Sequence, residues 1–203
     1  KSDEVNVKVT LTDPADLPDN AELSVTPVEL SQEAEDQITE EAIKEKKAIE
    51  KIHSYDIKFL VDGEEVQPGA TVKVSVSLND EKKIKDADVY HVDENDNVEN
   101  MDGSVAKNGD VEFETTHFST YVIVQKGKND VKVTIQHLNA ADNEKIYSDD
   151  ERTILVGGKI NDYTKAKNWD VSKVEVNDHV VENHETIEVA QDNSTIKVYY
   201  TPK

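Results

Sequence analysis

No cysteine occurs anywhere in the 203 residues. That one absence removes disulfide staples, thiol nucleophiles and cysteine-ligated zinc together, so any core must stand on packing alone. Bases are scarce beside acids, 23 Lys and Arg against 44 Asp and Glu, and the formal net charge is −21. Phosphate backbones are gripped by clustered Lys and Arg that displace counterions, and no basic stripe interrupts the acidic background, so nucleic acid is excluded as a partner. The same sign of charge works against an anionic membrane surface. No apolar run is long enough to span a bilayer, so no membrane insertion is expected, and no charged-then-apolar signal segment opens the chain. The chain therefore reads as a monomeric fragment of a longer multidomain protein. Aromatic residues are also sparse, 5% with a single Trp, which leaves few platforms for stacking sugars.

What the chain does have is alternation. Val5, Val7, Val9 and Leu11 alternate with Asn6, Lys8 and Thr10, the period of a half-buried strand. Pro14 and Pro18 punctuate a turn, and Leu23, Val25 and Val28 mark a second strand. Ser31 is an N-cap candidate for the acidic stretch from Gln32 to Ile52. There Ala34, Ile38, Ala42, Ile49 and Ile52 fall near one face, acids crowd the first turns and lysines the last, which predicts a helix over about 31–52. Strands resume at Tyr55 to Val61, followed by the hairpin signal Asp62-Gly63, then Thr71 to Leu78, Ala87 to Val98 folded about a polar turn, Val111 to Thr115, and Thr120 to Val124. About seven strands suffice to close a β-sandwich around one core.

Gln125 to Asp130 is too short for a flexible linker and marks a joint between a unit at 1–127 and a second at 128–203. Residues 1–127 hold 30 acids and 13 bases, residues 128–203 hold 14 and 10, a charge asymmetry that supports the division. In the second unit Val131, Val133 and Ile135 alternate, a polar turn covers Asn139 to Glu144, and Arg152 to Val156 forms a strand before Gly157-Gly158. A connector then runs through Tyr163 to Trp169, a hairpin spans Val174 to Val181, and a last strand spans Ser194 to Tyr200.

The segments Ala87 to Val98, Val111 to Thr115 and His117 to Val124 resemble the end of immunoglobulin-like or sandwich modules in surface proteins of Gram-positive bacteria. The opening Val131-Lys-Val-Thr-Ile135, the mid-chain Gly, Tyr and Trp, and the closing Ile196-Lys-Val-Tyr-Tyr200 resemble mucin-binding-protein (MucBP) repeats, although His137 stands where a tyrosine is common and Ala141-Asp142-Asn143 replaces the usual Asp-x-x-Gly turn. These resemblances imply a mainly β chain, an N-terminal β-sandwich with one inserted helix followed by a small β-grasp-like MucBP-type domain. They imply an extracellular module of a cell-surface adhesin, attached to the cell wall through other parts of its protein. Such a module spaces or presents its neighbours and contacts host mucin, another glycan or an extracellular protein, with Tyr163, Trp169, Tyr199 and Tyr200 as the aromatic candidates.

The alternative is self-processing. His117-Phe118-Ser119 resembles the His-Phe-Ser site at which domains of a nucleoporin and of inflammasome and death-domain adaptors cut their own backbone. Positions 117 and 119 share one side of an extended chain, so His117 could take the Ser119 proton while Ser119 attacks the Phe118 carbonyl. The plainer reading packs Phe118, Val122 and Val124 in the core and turns His117 and Ser119 outward. No Gly-x-Ser-x-Gly elbow, phosphate-cradling glycine loop or His-Glu-x-x-His pair occurs, so an enzyme acting on other molecules is not expected. Asp93 to Asn97 lacks the glycine and the twelfth-position glutamate of a calcium loop, and His179 and His184 lack a third ligand. No metal and no cofactor is expected.

Overall fold

The structure is a computed structural model that describes residues 5–11, 17–79, 83–163 and 167–203. Pro14 and the middle of the Tyr163 to Trp169 connector lie outside the described residues. The protein is mainly β, with seventeen strands and one helix among the described residues. It divides into two compact units, Lys1–Ile38 with Glu50–Lys126, and Thr39–Ile49 with Gly127–Lys203. The division thus falls one residue before the sequence-based joint and assigns a segment from early in the chain to the second unit, a discontinuity that composition along the chain does not reveal.

Up to Lys126 the chain runs β1 (Val5–Leu11), β2 (Glu22–Pro27), α1 (Gln32–Glu45), β3 (Ile49–Val61), β4 (Glu64–Val66), β5 (Val72–Leu78), β6 (Ala87–Val92), β7 (Val98–Asn100), β8 (Ser104–Val105), β9 (Val111–Thr115) and β10 (Thr120–Lys126). One sheet has the order β1-β5-β9-β8 and another β2-β3-β10-β6-β7, with β4 added to β3. Both contribute to a single apolar cluster: Val72, Val74, Val76, Val111 and Phe113 come from the first sheet, and Tyr55, Ile57, Phe59, Val89, Tyr121 and Ile123 from the second. On each of these strands the cluster residues sit two apart, as the pleat requires. The predicted Asp62-Gly63 hairpin forms, both residues at positive φ (53° and 84°), the backbone that a tight two-residue turn demands.

Helix α1 starts where its cap predicts, the Ala34 amide donating to Ser31 Oγ at 3.1 Å. It ends earlier than its apolar period suggests. Lys46 adopts φ 55° and its amide and that of Lys47 return to the Ile43 and Ala42 carbonyls, closing the last turn in the left-handed manner. The predicted continuation through Ile52 is corrected: Ile49 opens β3, with its amide donating to the Ala190 carbonyl at 2.8 Å and its carbonyl accepting from Asp192 at 2.9 Å. A non-local pairing overrides a local period that fitted either element.

Strand β10 lies between β3 and β6 and is buried from Tyr121 to Lys126. At its end the Lys126 ammonium, whose side chain is 0% exposed, pairs with Asp88 at 3.1 Å. Lys126 has a further partner besides Asp88, so Asp88→Ala removes one charge-assisted bond and leaves no isolated buried charge, a cost of about 2 kcal/mol. Urea unfolding should show a lowered midpoint at an unchanged slope; a midpoint equal to wild type would show that the pair contributes nothing.

In the second unit β11 (Asp130–Asn139), β12 (Lys145–Leu155), β13 (Lys159–Ile160), β14 (Trp169–Val176), β15 (His179–Val180), β16 (Ile187–Glu188) and β17 (Ser194–Pro202) follow. The main sheet has the order β12-β11-β17-β14-β15. Strands β11 and β17 are parallel, the other pairings antiparallel, and β13 pairs with β16 separately. Strand β12 starts seven residues before the predicted Arg152. Its first half lacks apolar alternation, with Ile146 and Tyr147 adjacent and Ser148 to Glu151 polar, as an edge strand with one wetted face allows.

Candidate functional site

The segment between β9 and β10 is held from several directions. Phe118 is 1% exposed, and its ring meets Phe59 edge-on at 5.0 Å between centroids. The Tyr121 hydroxyl donates to the His117 carbonyl at 2.6 Å, and Thr115 Oγ1 reaches the same oxygen at 2.7 Å. Burial pushes the Tyr121 phenol up to about 12, so it remains a donor throughout the neutral range. The Ser119 carbonyl accepts from the Ile57 amide of β3 at 2.9 Å. At Phe118 the amide donates to Gln67 Oε1 at 2.7 Å and the carbonyl accepts from Gln67 Nε2 at 3.1 Å. The Ser119 amide, by contrast, has no hydrogen-bond partner among the described residues.

The Ser119 hydroxyl lies 2.6 Å from His91 Nε2. His91 comes from β6, where it stands directly opposite Tyr121 in the antiparallel register. Ser119 is two residues before Tyr121, so the pair is the diagonal same-face neighbour that an antiparallel ladder brings within reach. The motif predicts His117 in this role; His117 instead is exposed and sets its ring edge-on against His91 at 4.7 Å. His91 is 7% exposed. Burial, and after it the charge of His117, lowers its pKa below the usual imidazole range, so it is neutral near pH 7 and suited to accept a proton. For Nε2 to accept the Ser119 proton, the ring hydrogen must reside on Nδ1. The arrangement therefore joins a hydroxyl nucleophile, a neutral base and a carbonyl carrying a side-chain donor.

A second feature lies in the other unit. A cavity of about 200 Å³ is lined by His137, Tyr147, Asp150, Arg152, Asp162, Tyr163 and Tyr200. The Tyr200 hydroxyl donates to the Tyr163 carbonyl at 2.9 Å and, its one proton committed, accepts from His137 Nδ1 at 2.9 Å. That chain leaves Nε2 as the acceptor nitrogen of His137, a group that burial keeps below its ordinary pKa. Arg152 is clamped between Asp150 and Asp162. Of the four aromatic candidates the fold brings Tyr163 and Tyr200 together and separates the others. Tyr199 points to the opposite face of β17, beneath Lys173 at 4.2 Å and bonded to Glu175, and Trp169 is half-buried at the start of β14. Sequence spacing does not reveal His137 and Tyr147 as a pair, because they meet only across the β11–β12 register.

The Asp93 carboxylate is consumed by its own turn, accepting from the Asn95 and Asn97 amides and from Asn97 Nδ2. Among the described residues no group of three or more His, Asp or Glu side chains is arranged to hold a metal ion, and no helix is long and apolar enough to cross a membrane. No protein-family model matches the chain, and no curated protein matches it.

Proposed function

We propose that the first unit cuts its own backbone between Phe118 and Ser119, as a self-processing module of a bacterial cell-surface protein. The observation that carries this reading is the 2.6 Å contact between Ser119 Oγ and His91 Nε2, made by the residue that follows the scissile carbonyl. His91 removes the hydroxyl proton as Oγ bonds to the Phe118 carbonyl carbon. The tetrahedral adduct then expels the Ser119 nitrogen, which takes the proton from His91, so that the amide becomes an ester. Water hydrolyses that ester, leaving a carboxylate on Phe118 and a free amine and hydroxyl on Ser119. The leaving nitrogen has no hydrogen bond to give up among the described residues.

The cut leaves the pieces interleaved. The first unit draws Lys1–Ile38 and the residues from Glu50 to Phe118 from one piece and β10 from the other, and the second unit combines Thr39–Ile49 with Gly127–Lys203. The two sheets sharing one apolar cluster, and the Tyr121 hydroxyl bonding back to the strand entry, support a β-sandwich of immunoglobulin type. The order β12-β11-β17-β14-β15, with its parallel central pair, supports a β-grasp reading of the second unit as a MucBP-like extracellular spacer. Host mucin, another glycan or an extracellular protein would be its contact, at the cavity that the exposed Tyr147 lines together with the buried Tyr163 and Tyr200. A second reading, favoured by the packing of Phe118 in the core, is a non-catalytic adhesin module throughout, with the Ser119–His91 bond merely structural.

A denaturing gel with intact-mass measurement separates the two. Wild type should give fragments ending at Phe118 and beginning at Ser119 that co-elute under native conditions, and Ser119→Ala should remain one chain of 22.7 kDa. A wild-type chain that stays whole after folding would remove the first reading.

A further inference from the structure

We propose that Gln67 is a catalytic residue of this cut, the donor that receives the negative charge developing on the Phe118 oxygen. The inference rests on the self-cleavage reading and adds a group that reading does not require. When Ser119 Oγ bonds to the carbonyl carbon, the carbonyl π pair moves onto oxygen, and a reaction of this kind is accelerated by donors already aimed at that atom. The other donors around the segment are engaged elsewhere. The Ile57 amide serves the Ser119 carbonyl, and the Tyr121 and Thr115 hydroxyls serve the His117 carbonyl. Gln67 Nε2, at 3.1 Å, is the side-chain donor on the Phe118 oxygen, and a bond of that length can shorten as its acceptor becomes charged.

The amide is held in the required orientation. Its oxygen accepts from the Phe118 amide, while its nitrogen also donates to Glu65 Oε1 at 3.2 Å. Exchanging the two ends would set the amide oxygen against both the Glu65 carboxylate and the Phe118 carbonyl, so the hydrogen-bond network fixes which end is the donor. The backbone is constrained as well. Gln67 precedes Pro68, which restricts it to extended conformations, and follows Val66, whose strand β4 pairs with β3 opposite Phe59. Phe59 is the ring that packs on Phe118. One local constellation therefore positions both the scissile residue and the donor that touches it.

A purely structural Gln67 would also tie this loop down, so the test must separate donation from anchoring. Gln67→Glu keeps the volume and the acceptor for the Phe118 amide but, ionised, cannot donate; Gln67→Met keeps the approximate length and offers neither. Full-length chains synthesised in a cell-free system would be chased on a denaturing gel, with the unfolding midpoint of each variant measured in the Ser119→Ala background. We expect both variants to cut about 100-fold more slowly than wild type, the typical cost of losing one such donor. Gln67→Glu is made together with Glu65→Gln, so that the new carboxylate accepts from a side-chain amide at position 65 instead of opposing the Glu65 carboxylate, and this pair is expected to keep a midpoint close to that of a Glu65→Gln parent. Cutting by Gln67→Glu and Gln67→Met within about threefold of wild type, a difference too small for a lost oxyanion donor, would overturn the role of Gln67 while leaving self-cleavage intact. Slowing that tracks a lowered midpoint in both variants would overturn it equally, by reducing Gln67 to an anchor. An uncut wild type would remove the self-cleavage reading and this inference with it.

Discussion

His91→Ala should slow the cut by roughly 10²–10⁴-fold, the range expected for a lost general base, whereas His117→Ala should leave most of the rate. The two histidines are adjacent in space, so the contrast is informative. His91 Nε2 touches the nucleophile at 2.6 Å; the His117 ring meets the ring of His91 edge-on and lowers its pKa through charge. Deleting His117 therefore changes the base slightly and leaves the proton path whole. Deleting His91 leaves Ser119 as an ordinary hydroxyl, whose nucleophilicity near pH 7 is negligible without a base. The measurement is the fraction of uncut chain against time in a cell-free chase. A chain that cuts normally as His91→Ala and fails as His117→Ala would return the base to the residue inside the motif.

This pair of histidines also shows what the sequence could and could not reveal. The strand that follows Ser119 was legible from its run of aromatic and β-branched residues, but its phase was not: the sequence alone groups Phe118 with Val122 and Val124, whereas the apolar cluster takes Phe118 with Tyr121 and Ile123. The turn at Asp62-Gly63 was legible because few residues other than glycine tolerate that backbone. The base was not, because Ser119 and His91 are 28 residues apart, and their contact exists only through the register that sets Tyr121 opposite His91. Periodicity reports which face a residue takes and says nothing about which strand lies beside it. The same limit hid Gln67, 51 residues from Phe118, and the meeting of His137 with Tyr147. Overrunning the helix into Ile49 and Ile52 has a related cause: the residue spacing suited a helix, and the partner that claimed Ile49 for a strand is at Ala190 to Asp192.

Acidification should switch the cut off. His91 must be neutral to accept a proton, so the rate should be flat at neutral and alkaline pH and fall about tenfold per pH unit once the pH drops below its folded pKa. That pKa lies below the ordinary 6.5, chiefly through burial and then through the neighbouring His117, with Glu99 and Asp93 pulling weakly the other way. Cutting at pH 7 should therefore sit on the plateau, with the fall confined to pH values below about 6.5. Linkage adds a stability effect of definite sign. Because the folded pKa is depressed, the unfolded chain takes up this proton first, and stability is lost as pH falls from about 6.5 to the folded value. The rate must accordingly be read only where Ser119→Ala is still folded by near-ultraviolet circular dichroism. His117→Ala removes the like charge and should move the midpoint of the rate profile upward. A rate that rises on acidification while the fold persists would mean that a protonated group drives the cut, and would remove His91 as its base.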